Sequence, residues 1–464
     1  MRPGCRSPAR RHLHSPTLLL IQARMTPSQT PSPSTQQSGF YAWYVLALLS
    51  LTYVFNFIDR QILAMLMEPI KKEFGVSDTA MGFLSGFAFV FFYSLVGIPI
   101  ARWADRGSRK RIITLALTIW SGMTAACGLA RSFIELAVIR VLVGVGEAGG
   151  SPPSHSLITD YFPPHKRATA LSIYAWGVYF GSALAFLAGG WLVQHYNWRT
   201  AFFVVGLPGL LLATLVAFTV KEVPRGWSEP GHVAPPPTTQ PPLGEVLRTL
   251  FGRRGFVFVV LASSVQSLAG YAVLTWGPAF LGRVHQMPFV EIGLHLGWTI
   301  GIAGCLGAWL GGHLADRMGR HDARWYMRLP AIQSLLGVPF LIGFVLLNDK
   351  QHALLCFIPF YALGAMYVGP MFTVIQSGTP PHMRATAAAV LLFIVSLIGS
   401  GLGPLSIGLL NDYVFGPIYG ATAIRYSMLV MGVLGGFASI LFWLGSRDLR
   451  KEMATGDGTK HLTA

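Results

Sequence analysis

From residue 42 to residue 445 the chain is a succession of about twelve mostly apolar stretches, each near the 20 residues that an α-helix needs to cross a bilayer. They lie at about 42–68, 79–102, 112–131, 135–157, 168–193 and 200–220, then at 255–281, 291–314, 329–347, 352–376, 385–410 and 424–445. Only 12% of the residues are charged, half of the roughly 25% usual in a soluble domain. With 52% hydrophobic residues, there is too little charge to clothe a water-soluble core of this size. Disorder is excluded by the same numbers, and the glycines have no three-residue period, which excludes a collagen-like chain. Cys5, Cys127, Cys305 and Cys356 have neither metal-ligand spacing nor the pattern of a disulfide framework, so no metal site or cofactor is expected. The predicted class is an all-α membrane protein with twelve transmembrane helices.

Between the sixth and seventh stretches, Pro235-Pro236-Pro237 and Pro241-Pro242 give residues 221–254 the composition of a linker rather than a packed element. The expected organisation is a tail at 1–40, a six-helix half at 41–220, the linker at 221–254, a second six-helix half at 255–446 and a tail at 447–464. Residues 1–24 are Arg-rich without an acidic residue, and their apolar patch, Leu18 to Ile21, is shorter than a signal peptide requires. They read as a disordered tail or as an extension upstream of a start at Met25, with a targeting peptide as the alternative. Thr26 to Gln37, rich in Ser, Thr, Pro and Gln, is expected to be disordered.

The net charge of +16 raises nucleic-acid binding, and its distribution dismisses it. Of the 35 Lys and Arg, 26 fall on the side of the two termini and the linker, seven on the opposite side, and two, Arg60 and Arg140, inside helices. The positive-inside rule therefore predicts cytoplasmic termini, a cytoplasmic linker and a plasma (bacterial inner) membrane location.

The halves repeat one another. Ala101-Arg-Trp-Ala-Asp105-Arg106-Gly-Ser-Arg109-Lys110 after the second helix returns as Gly312-His-Leu-Ala-Asp316-Arg317-Met-Gly319-Arg320 after the eighth. Pro163-Pro-His-Lys-Arg167-Ala-Thr-Ala170 before the fifth returns as Pro380-Pro-His-Met-Arg384-Ala-Thr-Ala387 before the eleventh. Two matches in the same order, at equivalent helices, imply duplicated six-helix halves, an architecture of many secondary transporters with the substrate site between the repeats.

Over about residues 40–450 the chain resembles the major facilitator superfamily. The segment after the second helix is similar to that superfamily's signature Gly-x-x-x-Asp-Arg-x-Gly-Arg-Arg, with Ala101 and Ser108 replacing its two glycines; the second copy keeps both as Gly312 and Gly319. Arg140-x-x-x-Gly144-x-Gly146-x-Ala148 resembles a second signature. Asn56-Phe-Ile-Asp59-Arg60 and Arg140-Val-Leu-Val-Gly144-Val-Gly-Glu147-Ala148 resemble spinster-like transporters of sphingosine phosphates and lysophospholipids. The same Asp-Arg and Gly-Glu-Ala elements occur in the anion:cation symporter family, which takes up sugar acids and other organic anions. The resemblance also implies a cytoplasmic gate built from Asp105, Arg106, Arg109, Asp316, Arg317 and Arg320, locking the halves when the outward-facing state forms.

The residues carry their own argument. Asp59, Arg60, Arg140 and Glu147 are the charges well inside predicted spans, where an ionisable group costs roughly 2.5–3.5 kcal/mol and normally faces the bundle interior. Arg140 and Glu147, seven apart, share a face of the fourth helix; Asn56 and Asp59, three apart, share a face of the first. Asp59 and Glu147 are therefore expected to exchange protons. Arg60 and Arg140 are expected to alternate between those carboxylates and an anionic headgroup, for which a planar guanidinium is suited. The alternative is a static network that only holds the two helices together. Asn56, Tyr271 and Trp276 complete the expected binding residues; Tyr and Trp also fit interfacial anchors. The second half offers no charge at comparable depth, only apolar and aromatic surface.

The glycines of the fifth and eleventh helices, among them Gly177, Gly181, Gly189, Gly190, Gly399, Gly401, Gly403 and Gly408, fit either a cavity or close helix packing. Serine-protease, zinc-helix and aspartyl-dyad elements are missing, as is a repeated filter, so an enzyme or channel is not expected. The expected function is proton-coupled, alternating-access transport of an anionic amphipathic lipid. The alternative is proton symport of small organic anions such as sugar acids. The expected partners are the substrate, protons and membrane lipids, without nucleic acid, and the expected state is a monomer.

Overall fold

In the computed structural model, which describes residues 39–228, 243–379 and 383–456, the spans begin where short polar side chains cap them. Ser77, Ser108, Ser132, Asn197 and Asp349 each accept the backbone N–H three residues on, satisfying donors that a helix start leaves unpaired. Much of the two tails, both proline runs of the linker and Pro380-Pro381-His382 lie outside the described residues, as do the side chains of Asp105 and Arg106.

The first half comprises α1 (Phe40–Phe74), α2 (Asp78–Gly82, a π turn at Phe83–Phe87, then Ala88–Arg106), α3 (Arg109–Cys127), α4 (Phe133–Glu147 and Ser151–Tyr161), α5 (Pro164–Ala175 and Gly177–His195) and α6 (Trp198–Thr219). The second comprises α7 (Arg254–His285), α8 (Phe289–Trp298, a π turn at Thr299–Ala303, then Gly304–Gly319), α9 (Trp325–Leu346) and α10 (Lys350–Ala365 and Val368–Ser377). It ends with α11 (Arg384–Ser396 and Gly403–Leu409, with π turns at Leu397–Leu402 and Leu410–Phe415) and α12 (Ala423–Gly456). Nine helical runs among the described residues are long and apolar enough to cross a membrane, the last being the 62 residues Thr386–Arg447. That run turns at Gly420, whose φ of 54° suits glycine. With α3, which opens on Arg109-Lys110-Arg111, and the two-part α4, the arrangement is consistent with twelve spans.

The sequence repeat is also a packing repeat. In the first half α1 packs on α5 and α6, α2 on α4, and α3 on α4 and α6. In the second, α7 packs on α11 and α12, α8 on α10, and α9 on α10 and α12. Within the expected linker, Leu243–Phe251 is helical and buries Val246 and Leu250 in the second half's core beside Phe256 and Leu449. Residues 221–226 dock on the first half, where Gly226 N–H donates to Asp160 at 2.7 Å.

The glycines of α5 and α11 lie at helix crossings. A Cβ on Gly181 would stand 2.5 Å from the Val54 carbonyl of α1, and one on Gly403 2.6 Å from the Leu268 carbonyl of α7. Others join the halves: a Cβ on Gly82 would stand 2.5 Å from the Pro404 carbonyl, one on Gly408 2.5 Å from the Asp78 carbonyl, and one on Gly293 3.2 Å from Gly190 Cα. Every π turn named above contacts the opposite half.

These contacts gather toward one end of the bundle, where Gly75, Gln286 and Asp412 lie. Arg283 on α7 reaches Glu68 on α1 at 2.9 Å through Nε and both oxygens of Asp78 on α2 at 2.6 and 2.8 Å. Asp78 also binds Lys71 and accepts from Asn411 Nδ2 at 2.8 Å. Asp412 of α11 accepts the N–H of Thr79 at 2.7 Å, so a carboxylate of one half covers a helix N-terminus of the other.

Candidate functional site

Halfway along α1, Asp59 and Arg60 point their charges toward α4, and the two pairs form side by side. Arg140 Nη1 lies 2.8 Å from Asp59 Oδ1, and Arg60 Nε lies 2.6 Å from Glu147 Oε2. Thr124 of α3 donates its hydroxyl to the other oxygen of Asp59. Four charges thus cancel inside apolar surroundings, the condition under which buried ions are tolerated.

The pairs differ in access. Asp59, Arg140 and Glu147 are each 1% exposed, whereas the Arg60 side chain is 25% exposed. Aromatic faces support both guanidiniums: Arg60 lies 4.4 Å from the Tyr93 ring centre and 5.2 Å from that of Phe89, and Arg140 lies 5.6 Å from that of Phe89. A cleft of about 540 Å³ opens here. Arg60, Arg140, Phe57 and Phe89 wall it from the first half, and Tyr271, Thr275 and Ser400 from the second. Asp59 and Glu147 stand behind the arginines, off the wall. Glu147 Oε1, Arg140 Nε and Asn56 Oδ1 are buried without a hydrogen-bond partner among the described residues, leaving capacity for a rearranged network.

Of the other expected binding residues, Tyr271 is on the wall and Asn56 is buried in α1 one turn before Arg60. Trp276 lies away from the cleft: it is fully buried, donates Nε1–H to the Pro404 carbonyl at 2.9 Å, and packs beneath Arg283. It fastens α7 to α11.

At the opposite end of the bundle from Asp78, the repeated motif engages partners within each half. Arg109 is buried against Asp160 of α4 and places Nε 2.8 Å from Glu222 at the start of the linker. Burial would raise the Glu222 carboxyl, but the Lys110 N–H, the Ser108 hydroxyl and Arg109 together hold it below its ordinary range. In the second copy Asp316 accepts from the Tyr326 hydroxyl at 3.2 Å, and Arg317 and Arg320 form no ion pair among the described residues. Asp105 and Arg106 lie outside the described side chains.

Several residues of this geometry have no counterpart in the sequence reading. Thr124, Phe89, Ser85, Thr275 and Ser400 are hydroxyls and rings within apolar runs, where such side chains are common and carry no positional signal. Glu68, Lys71, Asp78, Arg283 and Asp412 sit near span ends, where charge is ordinary; only their convergence in space sets them apart.

Comparison with known proteins agrees with this construction. The sequence profile of the "Major Facilitator Superfamily" matches residues 49–404. An "MFS-type efflux pump" of Mycolicibacterium smegmatis is 34% identical over 89% of this chain and 94% of its own. A "cis,cis-muconate transport protein" of Acinetobacter baylyi is 28% identical over 80% of this chain and 88% of its own. Among solved structures, a bacterial homologue of the human lysosomal transporter Spinster, in an inward-facing and unoccupied conformation, superposes with a TM-score of 0.82. It shares 33% identity over 89% of this chain and 98% of that one.

Proposed function

The chain belongs to the major facilitator superfamily, and on that premise we propose that it is a proton-coupled transporter moving an anionic, amphipathic lipid by alternating access. One observation carries the reading: each cleft-lining arginine is held by a carboxylate standing behind it. An anionic headgroup entering the cleft competes with Glu147 for Arg60, the more exposed of the two guanidiniums. A buried carboxylate deprived of its cation takes up a proton, because an isolated charge there is costly. Release of the anion returns Arg60 to Glu147 and expels the proton. Asp59, held by both Arg140 and Thr124, is the slower member of the relay. Phe57, Ala64, Phe89 and Val90 supply apolar wall beside the arginines for an acyl chain.

The basic end, with both termini and the linker, faces the cytoplasm in this reading. The Asp78 end faces outward, and closure there makes the state inward-facing, as in the Spinster homologue. Asp105, Arg106, Arg109, Asp316, Arg317 and Arg320 then meet across the halves only after the swing to the outward-facing state. The muconate relative favours a second reading, in which the same arginines bind a small dicarboxylate or sugar acid.

The test is proton-coupled current in proteoliposomes, with a lysophospholipid and muconate supplied separately to the parent, Asp59→Asn and Glu147→Gln. Current with the lysophospholipid alone, lost in both variants, is expected. Current with muconate alone overturns the lipid assignment, and equal currents in parent and variants overturn the protonation assignment.

A further inference from the structure

At the end of the bundle that carries the repeated motif, the two halves neutralise their arginines unequally. In the first half Arg109 is buried against Asp160 and Glu222. In the second, Arg324 just before α9 and Arg328 in its first turn have no such partners. The Nε of each is buried without a hydrogen-bond partner, a state that native structures normally avoid. Among the described residues the carboxylate nearest to them is Asp322, 3.7 Å from Arg328 Nη1 and too far for a hydrogen bond. The Arg328 guanidinium lies 5.5 Å from the ring centre of Trp443 on α12. Arg447, one turn beyond Trp443, is exposed and forms no ion pair among the described residues.

These groups stand at the head of a groove on the outer face of the bundle. Residues four apart share a helix face, so Arg324 and Arg328 continue into Ile332, Leu336 and Phe340, all exposed. On α12, Phe437, Ile440 and Trp443 form a second exposed strip that ends at Arg447. The register of the two helices follows from their glycines. A Cβ on Gly432 would meet Leu341, one on Gly436 Val338, and one on Gly445 Met327. The helices therefore run antiparallel, and the strips lie side by side with their arginines at the same end. From Arg328 to Phe340 the helix rises about 18 Å, close to half of the roughly 30 Å hydrocarbon core and so to the depth of one leaflet.

We propose that the groove between α9 and α12 is a binding site for one anionic membrane phospholipid, its phosphates on Arg324, Arg328 and Arg447 and its acyl chains along the two strips. Three guanidiniums offset by the Asp322 carboxylate leave a charge of about +2 at the head of the groove, which complements a lipid with two phosphodiesters, cardiolipin. The guanidinium fork matches a phosphate, and Trp443 lies at headgroup depth, where tryptophan is favoured. This lipid is a fixed companion of the second half and not the transported substrate, since Arg60 and Arg140 of the cleft belong to the first half.

Cardiolipin and phosphatidylcholine are titrated separately into delipidated full-length protein in detergent, with bound lipid counted by native mass spectrometry. Cardiolipin is expected to bind at least about tenfold more tightly than phosphatidylcholine. Arg324→Gln combined with Arg328→Gln is expected to remove that preference. Arg102→Gln combined with Lys110→Gln, which takes two charges from the same end of the first half, leaves it intact. Circular dichroism and gel filtration confirm folding, and Arg447→Gln replaces the first pair if that pair does not fold. Equal binding of the two lipids overturns the proposal, and so does an equal loss in both double variants, which means diffuse attraction to a basic surface. Displacement of cardiolipin by millimolar inorganic phosphate means a site for free anions only and overturns it as well. The titration needs no transport, so its outcome is independent of the test of proton coupling.

Discussion

Asp59 is the residue on which stability and the proposed transport make opposite demands. Its carboxylate is buried, held by Arg140 and Thr124, and the removal of one member of such a pair leaves an uncompensated charge. Arg140→Leu is therefore expected to destabilise the protein by about 3–5 kcal/mol, and the double variant with Asp59→Leu to recover most of that loss. Thermal unfolding in detergent checks both; a single variant as stable as the parent would show that the pair contributes no net stability. The four charges were legible in the sequence because each interrupts an apolar run. Which arginine holds which carboxylate was not, since the i, i+7 spacing of Arg140 and Glu147 places both on one face without fixing the rotation of α4 against α1. Thr124 was illegible for a simpler reason: a threonine in an apolar helix commonly bonds its own backbone.

At the scale of elements, the crossing of α5 and α8 depends on backbone-to-backbone approach. A side chain at Gly293 would meet Gly190 Cα and the Phe186 carbonyl, neither of which is the end of a flexible group. Gly293→Leu is expected to keep the halves from closing at the Asp78 end. Maleimide labelling at Asn411→Cys, a position 4% exposed, reads this in an otherwise cysteine-free protein. Labelling is expected to accelerate several-fold; an unchanged rate would mean that the crossing yields without opening. The sequence located the spans and marked the glycines of α5 and α11, though not Gly293, leaving cavity and packing open; crossings such as that at Gly190 read as packing. The π turns were invisible in it, because one extra residue in a helical turn does not alter an apolar run. The helix Leu243–Phe251 went unseen because the neighbouring prolines dominated the composition of its segment.

Across the whole molecule, one arginine serving both Glu68 and Asp78 ties the halves at one end, beside the Asn411 and Asp412 hydrogen bonds. Arg283→Gln leaves these carboxylates, with Asp412, close together and short of a cation, so like charges push the halves apart there. Spin labels at Lys72 and Gln286 are expected to report a longer, broader distance distribution than in the parent. An unchanged distribution would assign the closure to the helix crossings and the Asn411 and Asp412 hydrogen bonds. The twofold pairing pattern was foreseeable from the repeated motifs; the choice of closed end was not, because both ends carry charges of ordinary kind.

The linker is anchored at both its ends: residues 221–228 sit on one half and Leu243–Phe251 on the other. Fourteen residues, 229 to 242, remain between the anchors, and such a length of chain reaches up to about 50 Å when drawn straight. At the Asp78 end the two halves meet as the leaves of a clasp, fastened by Arg283, Asn411 and Asp412.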